Sequence, residues 1–176
     1  DVSNGLPNTI IVGLPDAAVQ ESRERVRSAI KNSGCGYPQT RVSVNLAPAD
    51  VHKVGTHFDL PIALAIILAT DEFIFSTDHK LFIGELSLDG SLRSVPGALA
   101  ITIAAARAGF TEIYVPPGNA SEASLVDGII VYAPATLRQL VDHLDGANPI
   151  KPVAVVAKDV VLKNQPALFD LADIVG

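Results

Sequence analysis

The sequence predicts a mixed α/β fold in which βαβ units and hairpins build a mixed sheet and helices pack on that sheet. Short apolar runs that alternate as strands do are separated by segments with helical spacing. Glycine, proline and asparagine fall between these runs, where turns are expected. The apolar fraction is 48% over 176 residues, which is enough to bury a sizeable core in one domain.

Residues 54–70 join a short polar loop to an apolar helix that has almost no polar face. Asp59 is predicted to cap this helix, because its carboxylate can accept hydrogen bonds from the first free backbone N–H groups, and Pro61 fits the first turn. The apolar run 60–69 is too short to span a bilayer. It favours a central helix that is packed on both sides.

Turn and cap residues place the other elements. Asp89-Gly90 tolerates the positive φ of a tight turn and predicts a hairpin between residues 80–86 and 91–95. Thr136 and Gln139 form a predicted capping box. The remaining predicted elements are strands at 9–12, 40–46, 112–115 and 128–132 and helices at 15–33, 98–108, 120–126 and 136–144.

The charge balance argues against a protein that coats a polyanion with its whole surface. Thirteen Lys and Arg residues against nineteen Asp and Glu residues give a net charge of −6, although a local basic patch is compatible with that balance. Cys35 is the only cysteine, which favours a reducing compartment. The sequence contains no signal peptide and no long apolar run. We expect a cytoplasmic protein without a membrane partner.

The sequence reads as a fragment of a longer protein. It contains no methionine, even at position 1, and it opens within a strand-like pattern. We expect one domain over residues 1–149, with its N-terminal strand truncated. The composition turns polar and turn-rich from Asp145-Gly146 to Pro152, so residues 150–176 are predicted to be a linker.

Sequence signals for nucleotide and metal sites are absent or weak. Neither G-x-x-x-x-G-K-[ST] nor G-x-G-x-x-G occurs, so we expect no bound ATP and no other cofactor in this segment. Four side chains that suit zinc or manganese fall within ten residues, but their spacing is irregular. We favour a polar loop without metal and keep a metal-binding module as an alternative. The weak candidate ligands are Asp50, His52, His57 and Asp59.

An ordered set of motifs resembles the proteolytic domain of Lon proteases over about residues 42–144. The motifs are the run 55–65 before the central helix, G-E-L-S-L-D-G at 84–90, V-P-G-A-L at 95–99, A-A-A-R-A-G-F at 104–110 and V-P-P-G-N at 115–119. The resemblance implies a Lon-like fold.

The same resemblance implies a lost active site. Where Lon-type enzymes place the serine nucleophile and the lysine base, this chain has His57 and Ala100. Thr56 lies next to the lost serine, but no lysine is in place to activate it. We therefore predict that this segment is not an enzyme. A Lon-type peptidase with a rearranged active site stays open as an alternative.

A closer resemblance covers the whole chain. S-N-G-L-P, V-G-L-P-D, V-N-L-A-P-A-D, F-D-L-P-I-A-L and I-G-E-L-S-L-D-G are similar to the N-terminal region of the magnesium-chelatase-like AAA+ family that includes the competence protein ComM. In that family a Lon-like domain without protease activity precedes an AAA+ motor, and residues 169–176 are similar to the lead-in to the motor. The resemblance implies a hexameric ATPase that uses ATP and Mg²⁺ and works as a branch-migration helicase in natural transformation.

Within that family, the domain is expected to bind single-stranded or branched DNA or to assemble rings. Cations along one stripe can neutralise phosphates without reading bases. Glu21 and Glu24 interleave with the cations, so a solvated helix face explains the pattern as well, and we favour that interpretation. A contact with a neighbouring subunit also stays open. The candidate contacts are Arg23, Arg27, Lys31, Arg41 and Lys53.

Overall fold

The structure is a computed structural model that describes residues 1–3 and 5–154. The predicted mixed α/β class is confirmed, because eight strands in three small sheets and five α-helices occur in this part of the chain. The predicted linker lies outside the described residues from position 155 onward. The elements are β1 Val2–Ser3, β2 Asn8–Val12, α1 Ala17–Asn32, β3 Arg41–Asn45, α2 Asp59–Leu68, β4 Lys80–Phe82, β5 Glu85–Leu86, β6 Leu92–Arg93, α3 Ala98–Arg107, β7 Glu112–Tyr114, α4 Ala120–Ala123, β8 Ile130–Tyr132 and α5 Leu137–Leu144.

The N-terminal sheet has the strand order β1-β3-β2. β2 and β3 are parallel, with Asn8 opposite Arg41, and the connection between them is α1. A helical crossover is what a parallel pair requires. The helix begins where the sequence predicts, because the Asp16 carboxylate accepts a hydrogen bond of 2.8 Å from the Val19 N–H.

The second sheet is fully parallel, in the order β4-β7-β8, and it separates two apolar cores. On one face Tyr114 stacks between Phe82 and Tyr132, at ring-centroid distances of 4.9 and 5.0 Å. This face belongs to the core formed with α1, α2 and α5. On the other face Ile113 and Val131 pack into the core of α3 and α4. Because successive side chains of a strand point to opposite faces of the sheet, neighbouring residues of these strands pack into different cores.

The predicted hairpin is only partly correct. β5 pairs with β6 around the tight turn, and Gly90 has φ +87° as expected. Residues 80–82 do not belong to it. They form β4 and pair with β7 in the parallel sheet, so the chain changes sheets at Ile83-Gly84. The reason is visible in the backbone bonds, since Ile83 N–H donates to the Tyr114 carbonyl at 3.1 Å.

The last two helices differ slightly from the predicted bounds. α4 ends at Ala123 rather than at residue 126. Thr136 caps α5 by accepting from the Gln139 N–H at 3.1 Å. The reciprocal bond of the predicted box goes to the Ala135 N–H, one residue before the cap. None of the helices in the described part of the chain is long and apolar enough to cross a membrane.

Candidate functional site

The loop of residues 55–58 precedes α2 and is held through its backbone. Gly55 N–H donates to the Asp16 carboxylate at 3.1 Å. Gly84 N–H donates to the His57 carbonyl at 3.2 Å, and Leu60 N–H donates to the Gly84 carbonyl at 3.1 Å. None of these bonds uses the side chain of Thr56 or His57. These bonds can therefore form with other side chains at positions 56 and 57.

Asp59 is not the predicted cap of α2. The helix begins at Asp59, and the capping position is Phe58, which makes no side-chain cap. The Asp59 carboxylate instead turns inward, is 0% exposed and forms an ion pair with Arg25 of α1, with Nε to Oδ2 at 2.8 Å. The Leu86 N–H is a second donor, at 3.2 Å. Burial raises the pKa of Asp59 above its ordinary value, although Arg25 opposes the shift. The pair ties α1, α2 and β5 together.

The two positions that the Lon resemblance assigns to a serine and a lysine, His57 and Ala100, lie at or beside one apolar pocket of about 480 Å³. His57 lines it and lies against the Phe58 ring, with centroids 4.2 Å apart. Burial lowers the pKa of His57. Ala100 is exposed on α3, and the next residue, Ile101, lines the same pocket.

No nucleophile and base are paired at this pocket among the described residues. Lys80 lines the pocket, but its ammonium donates to the Ser76 carbonyl at 3.2 Å. At Thr56 the bonded group is the backbone carbonyl, which accepts a hydrogen bond from the Asp59 N–H at 3.1 Å. Nucleophilic catalysis needs a hydroxyl within hydrogen-bond reach of a base, and this arrangement does not provide one.

The loose group of predicted metal ligands does not converge. Asp59 is committed to Arg25, whereas Asp50 and His52 are exposed. Within residues 1–3 and 5–154, no three His, Cys, Asp or Glu side chains lie close enough to hold a metal ion. The geometry gives the metal-binding alternative no support.

Four of the five predicted contact cations are exposed, and one is buried. Arg23, Arg27 and Lys31 lie on the outer face of α1, and Arg41 is exposed at the start of β3. Lys53 is only 5% exposed, and its ammonium donates to the Pro48 carbonyl. It fails the expectation of a surface cation, because its charge is used to hold its own loop.

Arg23 and Arg27 line a polar pocket of about 170 Å³ between α1 and the start of β2. The Arg27 guanidinium lies 5.8 Å from the centroid of the Tyr37 ring. The Tyr37 hydroxyl is 2.6 Å from the Thr9 hydroxyl. Arg23 Nε donates to the Gln20 carbonyl at 3.1 Å. Neither arginine forms an ion pair with an acid of the described chain, so both guanidinium groups keep unused donors.

The sequence analysis did not predict the roles of Arg25 and Tyr37. Arg25 lies two positions from both Arg23 and Arg27, and therefore on the inner side of α1. The sequence did contain a signal for its pair with Asp59, namely an arginine on the apolar side of one helix and an aspartate at the start of another. Tyr37 gave no such signal, because it lies in a loop that reaches the pocket only through the fold.

Comparisons with known proteins agree with the resemblance drawn from the motifs. A family model described as subunit ChlI of Mg-chelatase matches residues 1–119. An uncharacterized protein of Mycobacterium tuberculosis is 41% identical over 177 residues, which is 100% of this chain and 34% of the relative. Competence protein ComM of Haemophilus influenzae is 40% identical over 99% of this chain and 35% of its own length. Protein YifB of Salmonella typhimurium is 39% identical over 99% and 34%. The chain thus spans about a third of these relatives.

Proposed function

Since the chain belongs to the magnesium-chelatase-like AAA+ family represented by subunit ChlI of Mg-chelatase, we propose that it is a non-catalytic domain of an ATP-driven DNA-remodelling protein. In this proposal it engages DNA and contributes to a hexameric ring in the cytoplasm. A separate motor domain supplies ATP hydrolysis with Mg²⁺. One relative bears the name competence protein, which supports a role on DNA.

The proposal is carried by the arginine face of α1, the exposed side of that helix on which Arg23 and Arg27 lie. The whole chain has a net charge of −6, yet these two arginines line one pocket. Arg41 is exposed on β3, the strand that pairs with β2. Such a local cationic face attracts a polyanion even when the rest of the surface repels it. Nothing in the contact needs a base edge, so we expect binding without sequence specificity.

The proposal of a non-catalytic role is supported by the pocket at His57. An alanine at position 100 cannot accept a proton, and Lys80, which lines the pocket, donates its ammonium to the Ser76 carbonyl. Turnover of casein or of a Lon peptide substrate by this chain, abolished in Thr56→Ala, would contradict this part of the proposal.

A salt titration of single-stranded DNA binding tests the DNA role. The double variant R23E/R27E should bind single-stranded DNA much more weakly, because it replaces two phosphate-neutralising groups by carboxylates. With about 0.7 counterions released per neutralised phosphate on a single strand, the logarithmic salt slope should fall in magnitude by about 0.7 when the two arginines share one phosphate and by about 1.4 when each neutralises its own.

The control R107E/K151E changes the net charge equally at two exposed sites that do not line the arginine pocket. It should bind as the wild type does. Equal binding by both double variants would remove the proposal that this face engages DNA. Sedimentation of the same variants separates DNA contact from subunit contact, because an assembly role predicts that R23E/R27E changes the oligomer.

A further inference from the structure

We propose that the pocket between α1 and β2 is a built subsite that seats one phosphodiester group of a single-stranded nucleic acid between Arg23 and Arg27. This inference rests on the proposed DNA role and specifies its site. A diffuse cationic surface would only attract the backbone, whereas a subsite fixes one phosphate at one position.

The unused donors of the two arginines point to an anionic ligand. A guanidinium has five N–H donors. Arg23 spends Nε on Gln20 and makes one long contact, Nη1 to the Thr9 carbonyl at 3.5 Å. Arg27 contacts the face of the Tyr37 ring, which leaves its edge donors available. Two guanidinium groups with free edges that line one pocket match the oxygens of a phosphate, which accept paired N–H donors.

Two contacts at the wall of the pocket form without any ligand. The bond between the hydroxyls of Tyr37 and Thr9, at 2.6 Å, joins the loop after α1 to β2. The Tyr37 ring then supports the guanidinium of Arg27 at 5.8 Å. Ordering a long arginine side chain costs rotamer entropy, and a ring contact made in advance lowers that cost at binding.

The charge of the pocket favours a diester. Glu24 also lines the pocket. Two arginines and one glutamate leave one positive charge, which matches the single negative charge of a phosphodiester.

The surroundings of the pocket favour a single strand over a duplex. Pro7 and Pro38 are part of the lining, and Leu6, next to Pro7, is 88% exposed. The exposed faces of unstacked bases can bury apolar area against these side chains, whereas a duplex keeps its base faces stacked. A flexible strand can also bend a phosphate into a concave site between a helix and a loop.

The test uses variants that preserve charge but remove the paired donors. Arg27→Lys and Arg23→Lys keep the cation and lose the planar fork, and Arg107→Lys is the control on α3. Affinity for an oligo-dT strand should fall about five- to tenfold in each pocket variant and stay unchanged in the control. The dinucleotide TpT, with one diester, should shift amide resonances of the pocket residues, and thymidine should not.

The outcomes distinguish the subsite from the wider proposal. Salt-dependent binding of oligo-dT that is equal in wild type, R23K and R27K, with no shift by TpT, overturns the subsite and leaves the DNA role standing. Absence of oligo-dT binding by the wild type overturns the DNA role itself. Equal affinity for the duplex of the same sequence overturns the preference for single strands. Loss of a self-associated state in R27K, with DNA binding unchanged, assigns the pocket to a carboxylate of a neighbouring copy instead.

Discussion

The buried pair of Arg25 and Asp59 allows a quantitative test of what holds the loop before α2. We consider Arg25→Met, which removes both guanidinium bonds to the carboxylate, at 2.8 and 3.2 Å, and leaves only the Leu86 N–H as a donor. Breaking a buried pair by removing one partner costs about 3–5 kcal/mol. The Arg25 side chain is 22% exposed. Because water can reach that side, we expect the lower end, about 3 kcal/mol.

The second half of the test is the double variant R25M/D59N. The asparagine introduced by D59N carries no charge, and its amide oxygen can still accept from the Leu86 N–H. A buried ion pair gains little over neutral groups, because taking both charges out of water costs about as much as their attraction returns. We therefore expect the double variant to cost only about 1.5 kcal/mol, less than Arg25→Met alone. Asp59→Asn alone should cost about 1–2 kcal/mol, since the guanidinium can rehydrate.

Urea unfolding followed by circular dichroism measures these differences. A loss of about 3 kcal/mol corresponds to a melting temperature lower by roughly 6–12 °C for a domain of this size. A cost below about 1 kcal/mol for Arg25→Met, or strict additivity of the two single variants, would refute the reasoning that a buried charge is left without its partner.

The dependence on pH has a defined sign. The pKa of the Asp59 carboxyl is raised in the folded state, so between the ordinary aspartate pKa and the raised value the folded chain binds more protons than the unfolded chain. The contribution of Asp59 to stability therefore falls as pH rises through that window. Arg25→Met removes the group that opposes the shift. The loss of unfolding free energy in Arg25→Met relative to wild type should therefore shrink as pH falls and Asp59 becomes protonated.

Three further predictions concern other parts of the fold. Asn119→Asp replaces an amide that donates to Glu122 at 2.7 Å by a carboxylate, so it should lower the urea midpoint more at pH 7 than at pH 4, and equal losses would contradict the like-charge explanation. Gly13→Ala should cost more than about 3 kcal/mol in unfolding experiments, because its Cβ would lie 2.1 Å from a backbone carbonyl oxygen. The comparison variant Gly97→Ala has open space around the new Cβ, so only its φ of +78° is unfavourable and it should cost roughly 1–2 kcal/mol. Cys35 is 6% exposed and burial raises the pKa of its thiol, so a disulfide reagent at pH 8 should react slowly until urea unfolds the chain, and fast reaction of the folded chain would show that the thiol is open to solvent.

The local elements were largely predictable because their signals are short in range. The cap of α1 at Asp16 and the cap of α5 at Thr136 both depend on a side chain and an N–H three residues later. The apolar helix before Thr70 is likewise central, with Leu60 and Ile67 fully buried. Such features can be read from a few consecutive residues.

Features that depend on distant residues were missed. Asp59 satisfies every sequence criterion for a cap, yet it pairs with a residue 34 positions away. Sequence spacing cannot reveal that a better donor will be present, because the partner is placed by the packing of α1 on α2. Lys53 is the converse case, a residue type that is normally exposed but is buried with its ammonium on a carbonyl. The pocket lined by Arg23 and Arg27 combines a local and a distant feature. The row of cations on α1 could be seen in the sequence, whereas the position of Tyr37 beside Arg27 could not.

The way the loop before α2 is held bears on the resemblance to the Lon-type domain, which implies a serine at position 57 and a lysine at position 100. Its backbone is fixed by Asp16, Gly84 and the ion pair of Asp59, none of which is at a position of the resemblance's serine or lysine. His57 is free to pack on Phe58, and Ala100 is exposed. The hydrogen bonds that hold this loop therefore use no side chain at position 57 or 100. Under the proposed function, the role of the domain then rests on surfaces such as the face of α1 that carries Arg23 and Arg27.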